Sequence, residues 1–359
     1  MVSVHTDAGT QAADDAVGEV PDEPDVRAWR WGDRSRTWTA GAASVLLALT
    51  AGVCAADWYG PARAALWLGV AGVLAAAAGA VCGLLERRPL AVALLVPAGA
   101  VGVLASWQAT SAGPARLAAA GLTVAAALAL LGRCTGLGRG GLIGAAAVGL
   151  AVGAWEAVLA LTDAPRTGVA LGVVSVLVLG YLPRLALTAA GLTRLDDQRS
   201  GGTPVSRHQV ATALGATHRG LALATVAVAV SAGAAGILAA GADDGWATAA
   251  ALLVCLLLFS RARAYPLAPE VIALLAAGTA VAAGLVHRWA AASGDPMGAL
   301  VVLSLLAVLP LAALAVRVPE HIRVRLRRVM NLVESVGVVA LFPVAFGAFG
   351  LYSRLLHTF

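Results

Sequence analysis

Eleven apolar runs in succession, each close to 20 residues long, leave this chain few ways to fold. A helix rising ~1.5 Å per residue needs about 20 apolar residues to cross ~30 Å of hydrocarbon. Such runs fall at about 37–56, 64–85, 90–108, 116–132, 141–162 and 167–184, then at 219–241, 245–260, 268–287, 297–316 and 333–353. Of the 359 residues, 60% are hydrophobic and 13% charged, too little charge to cover a water-soluble surface. The sequence predicts an all-α fold, a polytopic membrane helix bundle of about 11 transmembrane helices in the cell (inner) membrane. The runs 116–132 and 245–260 are the shortest and are expected only just to cross.

Arginine placement orients the bundle. With a cytoplasmic N-terminus, the outer side keeps Arg63, Arg116, Arg166, Arg288 and Arg354, and the other 20 of the 25 basic residues fall on the cytoplasmic side. Every connection obeys this positive-inside split, and one missed or invented span would have reversed all later loops. Trp58, Tyr59, Trp107, Trp155, Trp246 and Trp289 lie at outer helix ends and Trp38 at an inner one. An indole joins an apolar ring to an N–H that seeks water or lipid oxygen, so these are expected at the headgroup level.

The stretch "LGYLPRLALTAAGLTRLDDQRSGG", 179–202, marks where the sixth span reaches the cytoplasmic face. Arg184 is expected to reach the inner headgroups there. Four regions follow: a polar, disordered cytoplasmic tail, 1–36; a first transmembrane half of six helices, 37–192; the main cytoplasmic loop, 193–218; and a second half of five helices, 219–359. The tail is acidic before "RAWRWGDRSRTW", whose Arg and Trp suit the membrane surface. "RVPEHIRVRLRRVMNLVE", 317–334, is expected to form a short interfacial helix feeding the last span, or a docking surface for an acidic cytoplasmic partner.

Several chemistries are excluded or unsupported. All basic residues are Arg, so neither a phosphate-binding loop lysine nor a Schiff-base lysine exists, and any ATP-driven work needs another subunit to hydrolyse the ATP. Cys54, Cys82, Cys134 and Cys255 form no CxxC pair, and the six His show no metal-ligand spacing. "GLGRGG", 136–141, matches a dinucleotide fingerprint only formally, because it follows a membrane helix rather than a strand. Gly79/Gly83 and Gly149/Gly153 are G-x-x-x-G pairs, a weak signal among 41 Gly. No enzyme, cofactor, metal or nucleic-acid partner is expected.

The candidate site residues are therefore charges at the membrane boundary. Arg184, Arg261, Arg263, Arg323, Arg325, Arg327 and Arg328 are placed to meet a cytoplasmic partner or lipid. Glu156, near the outer end of the fifth span, and Glu334, near the inner start of the eleventh, are acids in or near the membrane, expected to be structural rather than proton relays.

Three segments carry a family resemblance: "YLPRLALTAAGL" at 181–192, "FSRARAYPLAPEVIALLAAG" at 259–278 and "RRVMNLVESVGVVALFPVAFGAFGLYSRL" at 327–355. In order and placement they resemble EccD, the multi-spanning subunit of actinobacterial type VII (ESX) secretion systems, over about 37–359. EccD proteins begin with a ubiquitin-like domain, and here only about 36 polar residues precede the first span, so that domain is expected to be missing. The resemblance implies a scaffold role in exporting proteins, as a homodimer working with EccB-, EccC- and EccE-like subunits and membrane lipids. EccC, an FtsK-like ATPase, would supply the energy. The competing reading is a stand-alone secondary transporter or flippase, which predicts internal repeats and a polar site at the membrane midplane. Neither is visible in the sequence.

Overall fold

The structure, a computed structural model, describes residues 33–110, 113–189, 207–315 and 320–356. Among these residues the chain is helical, without strands. The first half contains α1 (Asp33–Tyr59), α2 (Pro61–Leu84), α3 (Arg88–Ala109), α4 (Pro114–Cys134), α5 (Arg139–Leu161) and α6 (Ala164–Ala189). The second contains α7 (Arg207–Ala240), α8 (Gly245–Arg261), α9 (Ala268–Ser293), α10 (Pro296–Ala315), α11 (Glu320–Ala348) and a short α12 (Leu351–Leu356). Among the described residues, 10 helices carry a stretch long and apolar enough to cross a membrane, and α10 adds a shorter one, Met297–Val308. Each expected run thus corresponds to one helix.

Local chemistry sets the helix ends. Proline occupies the first turn of α2, α3, α4 and α9, where the N–H it lacks would have had no intrahelical acceptor. Gly60 and Gly113 precede two of these prolines with φ of 82° and 118°, a left-handed reversal that a side chain would resist. At α8 the Asp244 carboxylate accepts from the N–H groups of Trp246 and Ala247 at 3.2 and 3.3 Å. The two runs expected to be thin are sufficient: α4 has 21 residues, and α8 with its following 3-10 turn makes a 20-residue span.

Three helices run on past the hydrocarbon at one end. The segment α7 begins at Arg207, 12 residues before its apolar span starts at Arg219, and so takes in the second part of the expected 193–218 loop. The basic stretch 317–334 does not form a separate interfacial helix. From Glu320 it is the first part of α11, continuous with the span Arg328–Ala348. The span of α6 ends at Arg184, yet the helix continues to Ala189 through Pro183. The expected tail up to residue 32 and the loop residues 190–206 lie outside the described residues.

The core sits among α6, α7, α8, α9 and α11, where Val176, Leu179, Ala232, Ala251, Leu257, Leu274, Val281 and Leu341 are buried together. From this core α5 packs on α7, α4 on α5, and α3 on α4, with α1 and α2 against α3. Large apolar side chains such as Leu47, Leu74, Leu150 and Leu305 remain exposed, as lipid contact requires. Since lipid is as apolar as leucine, close approach rather than hydrophobicity joins the helices. A Cβ at Gly168 would lie 2.6 Å from the Ala235 carbonyl on α7, and one at Gly141 would lie 2.5 Å from the Gly132 Cα on α4.

Cross-links at the helix ends bear on the alternation read from arginine. At the arginine-rich end Arg219 Nη1 donates to the Gly136 carbonyl at 2.7 Å, and Arg261 pairs with Glu334. At the other end Gln108 Nε2 donates to the Gly52 carbonyl at 3.4 Å, Arg288 pairs with Asp243, and the Trp246 and Tyr352 rings lie 5.6 Å apart. Each contact joins ends assigned to the same side. Most of the end-placed aromatics are exposed, but Trp155 is not. The residue is 9% exposed and its Nε1 donates to Ser231 Oγ at 2.9 Å, so it is a core residue that fastens α5 to α7.

Candidate functional site

The turn between α8 and α9 gathers a polar cluster. Its sequence, "FSRARAYPLAPE", 259–270, is a polar interruption between two apolar runs. Arg263 donates from Nε to the Ser260 carbonyl at 3.2 Å and from Nη2 to Ser260 Oγ at 3.3 Å. Ser260 Oγ in turn donates to Glu334 Oε2 on α11, also at 3.3 Å. The second oxygen of Glu334 lies 3.6 Å from Arg261 Nε, an ion pair too long to be a hydrogen bond. The two side chains are 14% and 27% exposed, dry enough for the attraction to matter.

Tyr265 and Glu270 complete the turn. The Glu270 side chain, fully buried, accepts from the Leu267 N–H through Oε2 at 3.3 Å and closes the first turn of α9. The Tyr265 hydroxyl donates to the Leu179 carbonyl on α6 at 2.7 Å. In a regular helix that carbonyl would accept from the N–H of residue 183, but residue 183 is proline and has none. Tyr265 therefore supplies the donor that Pro183 removes, and α6 passes through its proline without leaving an orphaned carbonyl. Burial pushes the Tyr265 phenol up to about 12, against the Thr225 hydroxyl and the Arg261 charge, with Glu270 adding to the rise.

Among the residues expected from sequence, Arg184, Arg261, Arg263 and Glu334 come to this end of the bundle. Arg184 and Arg261 line one pocket with Leu177, Gly180 and Tyr181. Arg325 and Arg328 are exposed on the part of α11 leading into the membrane, and Arg323 and Arg327 lie on the same segment. Glu156 is elsewhere, half-buried on α5 beside Trp155. Sequence reading missed Ser260, Tyr265 and Glu270. The signal for Glu270 was present, since it is an acid in the first turn of a span and follows Pro269. Among the described residues no three His, Cys, Asp or Glu side chains converge as a metal site requires.

The "GLGRGG" glycines form the α4–α5 turn. Gly138 has φ 54°, Gly136 offers its carbonyl to Arg219, and Gly141 packs on α4. This is backbone packing at a helix hairpin, and it lacks the strand that dinucleotide binding needs.

Among solved structures, the chain is similar to protomer 1 of the ESX-3 core complex, with 19% identity and a TM-score of 0.66 over 99% of this chain and 82% of that chain. It also matches a MycP5-free ESX-5 inner membrane complex in State II, with 20% identity and a TM-score of 0.48 over 88% of this chain and 76% of that one. At these identities the likeness to the first is one of fold. No curated protein matches the chain. A family model described as the EccD-like transmembrane domain matches residues 28–358, nearly the whole sequence and all three segments that carried the resemblance, and the chain belongs to that family.

Proposed function

We propose that this protein is a scaffold subunit of a type VII (ESX) secretion machine, framing the membrane complex through which a separate ATPase exports proteins. The observation that carries this reading is the family match along residues 28–358. The fold shared with a protomer of the ESX-3 core complex supports it. A chain with no lysine also fits a subunit that leaves ATP hydrolysis to another.

In this reading the protein works as a homodimer with EccB-, EccC- and EccE-like subunits, its arginine-rich end in the cytoplasm. The helical extensions of α7 and α11 would then stand in the cytosol, and Arg263, Arg325 and Arg328 would meet acidic surfaces of those partners. The exposed pair Arg325 and Arg328 is the most direct candidate.

The test is purification of the tagged chain from its native host in mild detergent, with identification of what accompanies it. Recovery of an FtsK-like ATPase with other secretion subunits is the expected result. Their loss from an Arg325→Glu/Arg328→Glu variant of unchanged abundance would place the docking surface on α11. A homo-oligomer alone, with those subunits expressed but absent, would sink the scaffold reading in favour of a stand-alone transporter.

A further inference from the structure

The pocket between α6 and α8 has the makings of a ligand site. One wall is a single face of α6: Gly180 and Tyr181 stand three and four residues after Leu177, and Arg184 follows at seven, so they line up along the helix. Arg261, at the end of α8, forms the other wall. The cavity is about 230 Å³, room for a phosphate and the glycerol beside it and too small for a partner helix. Gly180 makes the arrangement possible. A Cβ there would lie 2.7 Å from Arg261 Nη1 and 2.9 Å from Nη2, so only glycine lets the guanidinium lie along α6.

Depth and charge narrow the ligand. Arg184 closes the apolar span of α6, and Arg261 lies three residues short of the end of the span that α8 belongs to. Both therefore stand where hydrocarbon gives way to headgroups, on the side that the arginine bias assigns to the cytoplasm. The Arg261 charge is only partly answered. Glu334 is 3.6 Å from Nε, and Nε has no hydrogen-bond acceptor among the described residues, while the two Nη groups face Gly180. A guanidinium carries five N–H donors, so each arginine can bind a phosphate beside any other partner it has. Two arginines and no acid line the pocket, and the acids nearest to it, Glu334 on Arg261 Nε and the buried Glu270, lie behind that lining, which favours an anionic headgroup over a zwitterionic one. Leu177 and Tyr181 continue the wall toward the hydrocarbon, suited to the glycerol and upper acyl chain.

We propose that this pocket is a phosphate site that holds the headgroup of an anionic phospholipid from the inner leaflet. The lipid would clamp α6 to α8 beside the Tyr265–Leu179 bond, joining the two halves of the bundle at their cytoplasmic end. The proposal rests on the membrane placement of the helices and is independent of the secretion reading.

The test uses the full chain, delipidated in detergent, with thermal unfolding followed as lipid is added. Phosphatidylglycerol is expected to raise the unfolding temperature by a few degrees, with little response to phosphatidylcholine or to millimolar inorganic phosphate. Arg184→Gln should weaken the phosphatidylglycerol response about tenfold in half-saturating concentration. Since Arg261→Gln also removes the partner of Glu334, Tyr181→Glu serves as the second variant. It sets a carboxylate at an exposed edge of the pocket and should abolish the response. Arg88→Gln, an exposed arginine at the same end outside the pocket, should respond as the unaltered protein does. The proposal fails if Arg184→Gln and Tyr181→Glu respond like the unaltered chain, or if Arg88→Gln loses as much as they do. A response to inorganic phosphate equal to that of the lipid would also overturn it and assign the pocket to a free anion.

Discussion

The Tyr265 hydroxyl donates to the Leu179 carbonyl at 2.7 Å, across 86 residues of chain, and that carbonyl is the one Pro183 deprives of its helical partner. A proline inside a membrane helix is tolerated when something else satisfies the freed backbone group. Here a phenol from the α8–α9 turn does so, and the repair also ties the sixth helix to the second half of the bundle.

Tyr265→Phe should therefore cost more than one surface hydrogen bond. It leaves a buried carbonyl without a donor, which costs about 1–3 kcal/mol. Pro183→Ala returns an N–H to that carbonyl, so the double variant Pro183→Ala/Tyr265→Phe should be more stable than Tyr265→Phe alone. Thermal unfolding in a fixed detergent measures both. If Pro183→Ala gives no rescue, the carbonyl is not the reason for the loss.

The same phenol gives a pH signature. In the folded protein Tyr265 ionises only near 12, against an ordinary value of 10.0. Its contribution to stability is whole below pH 10, and it falls as pH rises toward 12 because the unfolded chain releases that proton first. Tyrosinate absorbance should lose, in Tyr265→Phe, a component that titrates near pH 12. Loss of a component titrating near 10 instead would mean the group is solvated.

Glycines separate into those that set helix spacing and those that do not. Gly168→Ala drives a methyl into the α7 backbone, and Gly83→Ala drives one to 2.6 Å from the Cys134 carbonyl, so each should destabilise by about 1–3 kcal/mol. Gly149 and Gly153 meet nothing within 4 Å inside α5, and their Ala variants should unfold at the unaltered protein's temperature or slightly above it, since Ala favours the helix. Equal losses in both groups would contradict the packing.

That contrast shows where sequence stops being informative. The eleven helices were legible because lipid demands length and apolarity, and arginine marks every turn on one side. Which faces meet was not legible, because in lipid both the packed and the exposed face of a helix are apolar. Gly79/Gly83 and Gly149/Gly153 look alike as text, yet Gly79 and Gly83 touch neighbours and the other two do not. Gly168, which is used, drew no notice. Trp155 was misplaced for the related reason that an interfacial indole and a core indole bonded to Ser231 occupy the same position along a helix. The start of α7 at Arg207 was hidden because charge ends an apolar run without ending a helix, and for the same reason the helical stretch before the last span looked separate when it is continuous with α11.

The Arg261–Glu334 pair should show coupling. Glu334→Gln leaves a guanidinium that is 14% exposed with a weaker partner, and Arg261→Gln leaves a carboxylate that is 27% exposed. Each single variant should destabilise by about 1–3 kcal/mol, and the double variant by less than their sum. Additive losses in a thermal double-mutant cycle would reduce the pair to two independent contacts.

Glu156 presents the opposite case. It lies within the apolar span of α5, and its Oε1 is buried with no hydrogen-bond partner among the described residues. An acid in the membrane is a functional hypothesis by default, but a relay needs a second polar group to receive the proton. Its neighbour Trp155 cannot accept one, since the indole N–H only donates and is already committed to Ser231. The side chain therefore sits at a cost, with no relay partner among the described residues; a neutral isostere keeps an unbonded polar atom there but can carry no charge, so it should lower that cost without removing it. Glu156→Gln is expected to match or exceed the unaltered protein in unfolding temperature, by up to about 1 kcal/mol in stability, and to keep its co-purifying partners and export. A variant that folds and assembles normally but no longer exports protein would give Glu156 a role in transport that packing alone does not explain.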